Sequence, residues 1–175
     1  SRFNRLRTTD WVSASASLLA VLKAALEIGA QSEGAFDITV GPLVNLWGFG
    51  PEFHPDRIPL EADIAAARTR SGPDKLTLRE TQPAIRKHRP DVFLDLSGIA
   101  KGYGVDRVAE LMTAHGIEHY MVEIGGEVRV RGLKERDTPW RIAIEKPSPG
   151  ERSVHTMLAL SDIALATSGN YRNFF

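Results

Sequence analysis

The sequence contains no cysteine. Disulfides, thiolate zinc sites and cysteine nucleophiles are thereby excluded, but the compartment is not fixed, because cysteine-free chains occur on both sides of a membrane. An excess of one charge is lacking too: 22 Lys+Arg stand against 22 Asp+Glu. No net field recruits nucleic acid or an anionic membrane, so a nucleic-acid role is not expected. No apolar run approaches the length of a membrane span, and no signal peptide is seen. Familiar catalytic motifs are missing as well. There is no Gly-x-Gly-x-x-Gly, no P-loop, no Gly-x-Ser-x-Gly elbow and no His-Glu-x-x-His. His115 and His119 bracket Glu118, but Gly116 ends the helix between them, so a shared metal-binding face is not expected.

The 175 residues have the length of one ordinary domain, and the 42% apolar and 25% charged fractions are those of a soluble globular protein. Both ends read as cut. Ser1-Arg2-Phe3-Asn4 has neither methionine nor leader, and Asn170 to Phe175 stops in what reads as the start of a strand. Such a strand would expose aromatic surface, so the natural protein is expected to continue.

Residues 1–12 read as a polar loop. Ser13 is expected to cap a helix through about Ala30, with Leu18, Leu19, Leu22, Ala25, Leu26 and Ile28 as its apolar stripe and Gly29 with Ser32-Glu33-Gly34 ending it. Ala35 to Val40 reads as a short extended piece, followed by a helical turn that Pro42 opens. Residues 51–59, with three prolines, read as a loop. Glu61 to Arg70 is a short helix with Ile64 and Ala65 inward. Lys75–Arg79 and Ala84–His88 form two strands that can pair. A strand at 91–95 precedes a helix from about Gly98 to His115, with Ile99, Val105, Val108, Leu111 and Met112 on one side. Strands follow at 120–124, 127–131, 140–145, 154–160 and 163–167, most of them at hairpin spacing. The class is therefore α+β, a mostly antiparallel sheet with packed helices.

The stretch Asp91 to Asp106 organises the functional reading. An apolar strand runs into Asp95, a tight Ser97-Gly98 step follows, and a helix opens with Lys101 in its first turn. A carboxylate, helix N-terminal amides and a lysine so arranged suit a phosphate-bearing ligand and a divalent cation. Asp95 reads either as a ligand-contacting acid beside a cation or as a cap or partner for Lys101. Gly98 reads either as a hard carbonyl ligand for Mg²⁺ or as a permissive glycine after an N-cap. Lys101 can reach phosphate oxygens or be solvated. Glu123-Ile124-Gly125-Gly126-Glu127 offers bare backbone to a ligand or is a plain hairpin turn. Thr167-Ser168-Gly169-Asn170 places hydroxyls at a strand exit.

As an ordered set these signals resemble one family, the FAD:protein FMN transferases, or ApbE-type flavin transferases. Four blocks carry the resemblance: Gly34 to Gly50 (GAFDITVGPLVNLWGFG), Asp95 to Tyr103 (DLSGIAKGY), Val122 to Glu127 (VEIGGE) and Thr167 to Phe174 (TSGNYRNF). The resemblance covers essentially the whole chain. It implies an ApbE-like fold and transfer of FMN from FAD to a threonine or serine hydroxyl of a target protein, with AMP released and Mg²⁺ as cofactor. It implies as partners flavoprotein subunits of membrane redox complexes. The implied location is the periplasm, on the bacterial inner membrane, through a lipid anchor outside this chain.

Carried over by position, Ala35, Phe36, Asp37, Asp95 and Lys101 match FAD-contacting positions, and Gly98 matches a magnesium ligand that here can serve only through its carbonyl. At Lys101 some members carry a carboxylate; a lysine would favour the diphosphate directly. Further flavin contacts upstream, and a His-x-Ile-Asp-Pro-like segment and an Asp…Asp-Thr magnesium motif downstream, belong to the family but not to 1–175. The chain then reads as the central part of a catalytic region, with its catalytic base unassigned. Two other functions fit the same residues. An FAD diphosphatase would liberate free FMN, and a flavin carrier would bind FAD without forming AMP.

Overall fold

The computed structural model describes residues 2–50, 58–147 and 153–169. The chain divides into two compact units, Ser1–Ile99 and Ala100–Phe175. The architecture is mixed helix and antiparallel sheet, as the strand spacing implies.

In the first unit a short helix, α1 (Arg2–Arg5), precedes a strand, β1 (Trp11–Ser13), where the sequence reads as loop. Both are tertiary effects. Phe3 is buried in the core, and β1 pairs antiparallel with β3 (Ala84–Lys87), Ser13 opposite Ala84. That ladder takes Ser13, so Ser15 caps the long helix α2 (Ala16–Gln31) instead, and the Leu18 amide donates to its Oγ at 3.1 Å. β2 (Leu76–Arg79) pairs with β3 as expected, giving the sheet order β1-β3-β2.

Leu19, Leu22 and Ala25 of α2 meet Ile38, Leu76, Ile85, Val92 and Leu94 in one apolar core. Ile28, expected in the stripe, is exposed. Gly29 does not end α2. It lies inside the helix, where an added Cβ would sit 2.8 Å from the Phe36 carbonyl oxygen. The helix ends at Ser32, and Gly34 at φ +84° turns the chain back, its amide donating to the Gly29 carbonyl at 2.8 Å.

Residues 35–40 are therefore turns rather than an extended piece. They lead into α3 (Gly41–Leu46), with Pro42 in its first turn. Most of the proline-rich loop, residues 51–57, lies outside the described residues. α4 spans Glu61–Arg68 and buries Ala67, whereas Ala65 faces outward and Ile64 is half-buried. Residues 91–95 form no ladder. Val92 and Leu94 are buried as in a strand, but the Leu94 backbone bonds the Asn4 side chain: its amide donates to Oδ1 at 2.9 Å, and its carbonyl accepts from Nδ2 at 2.8 Å.

One lysine is buried in this unit. Lys87 is 2% exposed, donates to the Leu6 carbonyl at 3.0 Å and lies 4.8 Å from the Phe3 ring centroid. Burial lowers its pKa, as does the nearby Arg7 charge.

In the second unit α5 (Ala100–Ala114) packs on β4 (Tyr120–Ile124) and β5 (Glu127–Arg131). Its buried residues are Val105 and Ala109. Val108 and Leu111, expected inward, are exposed, because the close approach to the sheet falls on small residues: a Cβ at Gly104 would lie 3.2 Å from Ile124 Cδ1. Gly116, at φ +73°, ends the helix as expected. β5 also pairs with β8 (Ile163–Leu165), which stops two residues short of its expected end, and β6 (Trp140–Glu145) pairs with β7 (Val154–Leu160). All these pairings are antiparallel.

At Gly41 the chain has no room for a side chain, since an added Cβ would meet the Phe93 ring and lie 2.6 Å from the Phe93 carbonyl oxygen. Backbone cannot yield as a side-chain tip can. Gly41→Ala is expected to cost about 1–3 kcal/mol, read as a lower urea midpoint with an unchanged slope.

Candidate functional site

The first unit gathers two of the sequence blocks. Ser32 holds the start of the first: its Oγ accepts the Phe36 amide at 3.1 Å and donates to the Gly29 carbonyl at 3.2 Å. Asp37 then folds on itself. Its Oδ1 accepts the Thr39 amide at 2.8 Å and the Thr39 hydroxyl at 2.7 Å. Thr39 is fully buried, and its Oγ1 accepts the Gly72 amide. Asp37 is thus committed to an Asx turn that shapes the loop. Ala35, just before it, is exposed.

The second block is laid against the first by one backbone bond, from the Asp95 amide to the Ile38 carbonyl at 2.8 Å. The Asp95 carboxylate makes the same kind of turn as Asp37: Oδ1 accepts the Ser97 amide at 2.9 Å and the Ser97 hydroxyl at 2.6 Å. Gly98 follows, exposed, with Phe36 beside it; a Cβ there would lie 3.0 Å from Phe36 Cε2. The contact is tight enough that a side chain at Gly98 would make the Phe36 ring shift, and Gly98 has no left-handed φ. Phe36, Asp37, Asp95 and Gly98 thus fall in neighbouring turns.

Lys101 belongs to the second unit and has its own partners there. Its Nζ lies 2.7 Å from Glu127 Oε1 and donates to the Gly125 carbonyl at 2.9 Å. Gly125 and Gly126, at φ +56° and +93°, make the β4–β5 turn, and the Gly126 amide donates to Glu123 Oε1 at 2.7 Å. Thr167 lies beside this turn, its Oγ1 3.8 Å from where a Gly126 Cβ would be. Lys101 and the third and fourth blocks therefore meet, though Asn170 to Phe174 of the fourth lie outside the described residues.

The two acids of the glycine pair differ: Glu123 caps the turn, whereas Glu127 pairs with Lys101. Sequence reasoning did not find that partnership. His115 and His119 are engaged separately, His115 Nδ1 with the Leu111 carbonyl at 2.9 Å and His119 Nδ1 accepting the Leu133 amide at 3.0 Å.

A sequence model of the ApbE family matches residues 1–175. The chain belongs to the ApbE family. An FAD:protein FMN transferase of Vibrio cholerae serotype O1 is 49% identical over 175 residues, which is 100% of this chain and 52% of the relative. One from Salmonella typhimurium strain LT2 is 41% identical over 176 residues, 99% of this chain and 50% of the relative. The solved flavin transferase ApbE from Vibrio cholerae matches at TM-score 0.89 and 48% identity, covering 100% of this chain and 56% of that one. The ApbE protein from Thermotoga maritima matches at TM-score 0.88 and 31% identity, covering 100% and 57%. The chain thus spans about half the length of the curated relatives it matches.

For this ApbE-family chain, the contact of Phe36 with Gly98 joins an FAD-contacting position to a metal position of the resemblance. Gly98→Val would press on the Phe36 ring, which itself packs against the edge of the buried core. In the full-length protein, affinity for FAD, the ligand the resemblance implies, is expected to fall about tenfold, or about 1.4 kcal/mol, with a smaller drop in the urea midpoint because Phe36 also packs on the core. Fluorescence titration checks this; an unaltered affinity would separate the contact from flavin binding.

Proposed function

We propose that the protein containing this chain transfers FMN from FAD to a threonine or serine hydroxyl of a target protein and releases AMP. The family match across all 175 residues carries this reading. The backbone bond that sets the Asp95 turn beside the Phe36 turn supports it. In balance, the acceptor oxygen forms a bond to the FMN-side phosphorus. The bridging bond to the AMP phosphate breaks with its electron pair going to AMP, and the hydroxyl proton is given up to a base or to water. Positioning supplies much of the rate in such displacements.

The roles assigned within this chain are binding and orientation. Phe36 offers an aromatic face to the flavin. Ala35, Asp37 and Asp95 are assigned further FAD contacts, and Lys101 a hydrogen-bond donor to diphosphate oxygens. Mg²⁺ is proposed as the cofactor, with the Gly98 carbonyl as one hard oxygen ligand. Among the described residues no group of three or more His, Cys, Asp or Glu side chains could hold a metal, and the Asp95 carboxylate already serves Ser97. These residues alone do not make a metal cage. The proposed targets are flavoprotein subunits of membrane redox complexes. The proposed location is the periplasmic side of the bacterial inner membrane, through a lipid anchor outside this chain.

Full-length protein mixed with FAD, Mg²⁺ and a target peptide is expected to give the peptide an FMN-sized mass gain together with AMP. Free FMN and AMP without a labelled peptide would make the protein a diphosphatase. FAD binding without AMP would make it a carrier.

A further inference from the structure

Glu127 is placed unusually for an acid at the end of a hairpin turn. Its side chain is only 14% exposed. One oxygen, Oε1, meets the Lys101 ammonium at 2.7 Å. The other, Oε2, is shut off from solvent and has no hydrogen-bond partner among the described residues. A carboxylate withdrawn from water must have its charge answered locally. Lys101 is the cation paired with it among the described residues.

The lysine is held on a second side. Its ammonium donates to the Gly125 carbonyl at 2.9 Å, and its stem lies along the glycine turn, with Cδ 3.1 Å from where a Gly125 Cβ would be. Any side chain at Gly125 would crowd this stem. The turn is fixed from its other end, where Glu123 accepts the Gly126 amide. Turn, lysine and Glu127 are thus mutually fitted. An ammonium has three hydrogens and no lone pair. Two are assigned, to Glu127 and to Gly125, which leaves one for a ligand.

We propose that Glu127 is a positioning residue, fixing the Lys101 ammonium against the Gly125 carbonyl so that its third N–H meets a phosphate oxygen of FAD. This rests on the transfer reading above. It also changes what Lys101 contributes. A lysine neutralised by its own glutamate is a directed hydrogen-bond donor with little net charge, not a free cation that gathers diphosphate from a distance. The placement serves orientation, and orientation is felt in turnover more than in ground-state affinity.

The test uses the full-length protein with Glu127→Gln, Lys101→Met and the double variant. In Glu127→Gln the ammonium is released, so Lys101 acetylation by an amine-reactive reagent, followed by peptide mass spectrometry, should run several-fold faster than in wild type. Steady-state FMN transfer should show kcat down about tenfold, with KM for FAD moving by no more than about threefold. In the Lys101→Met background, Glu127→Gln should cost nothing further. Equal acetylation rates in wild type and Glu127→Gln would overturn the pairing whether or not the protein transfers FMN. Additive losses in the double variant would overturn the claim that Glu127 acts through Lys101. Faster acetylation of Glu127→Gln than of wild type, where the wild-type protein forms no AMP, would defeat the transfer reading and leave the pairing standing.

Discussion

The hydrogen bond from the Asp95 amide to the Ile38 carbonyl is the constraint on which the first unit's candidate site depends. It joins two segments that are otherwise turns, neither belonging to a sheet ladder. Everything near it is short-range and tightly fitted. Gly41 lies against the Phe93 backbone, Gly29 against the Phe36 carbonyl and Gly98 against the Phe36 ring. Thr39 pins the loop to Gly72 from within the core. Loops ordered this way can hold a site's shape, because the Phe36, Thr39, Asp95 and Ser97 amides have fixed partners and Gly29 and Gly41 lie where a methyl would meet backbone.

The second unit solves a similar problem with charge. Its turn has two glycines at positive φ, which only residues without a Cβ adopt without strain. The acids on either side are used for opposite purposes, Glu123 for the turn amide and Glu127 for Lys101. In both units a carboxylate that looks available from the sequence is already occupied: Asp37 by Thr39, Asp95 by Ser97, Glu127 by Lys101. What these carboxylates visibly supply is the shape of their own turns and the placement of Lys101.

Strand pairing, helix placement and the four blocks were legible in the sequence because they depend on local pattern: alternation over Leu76–Arg79, the apolar spacing of α2, Gly116 as a stop. What was not legible depends on partners distant along the chain. Ser13 was lost as a cap because β3 pairs with it. Residues 91–95 read as a strand from their apolar alternation, yet their backbone is satisfied by Asn4 and Ile38. On α5 Val105 is buried as its spacing implies, but the larger Val108 and Leu111 are exposed, and Ala109, too small to mark a core by itself, is buried. Glu127 and Lys101 gave no sign of each other, since nothing in spacing links a helix start to the far side of a hairpin. The family resemblance named Asp37 and Asp95 as site positions but could not show that each closes its own turn.

The central claim is that the Phe36–Thr39 loop and the Leu94–Gly98 segment form one cooperative unit with the core. Native-state hydrogen exchange of the full-length protein tests it most directly. The account predicts that the Thr39, Gly72 and Asp95 amides exchange with nearly the opening free energy of β3 amides such as Ile85, rising and falling with global stability in urea. Exchange of Thr39 and Asp95 through separate, low-energy openings indifferent to urea would contradict it.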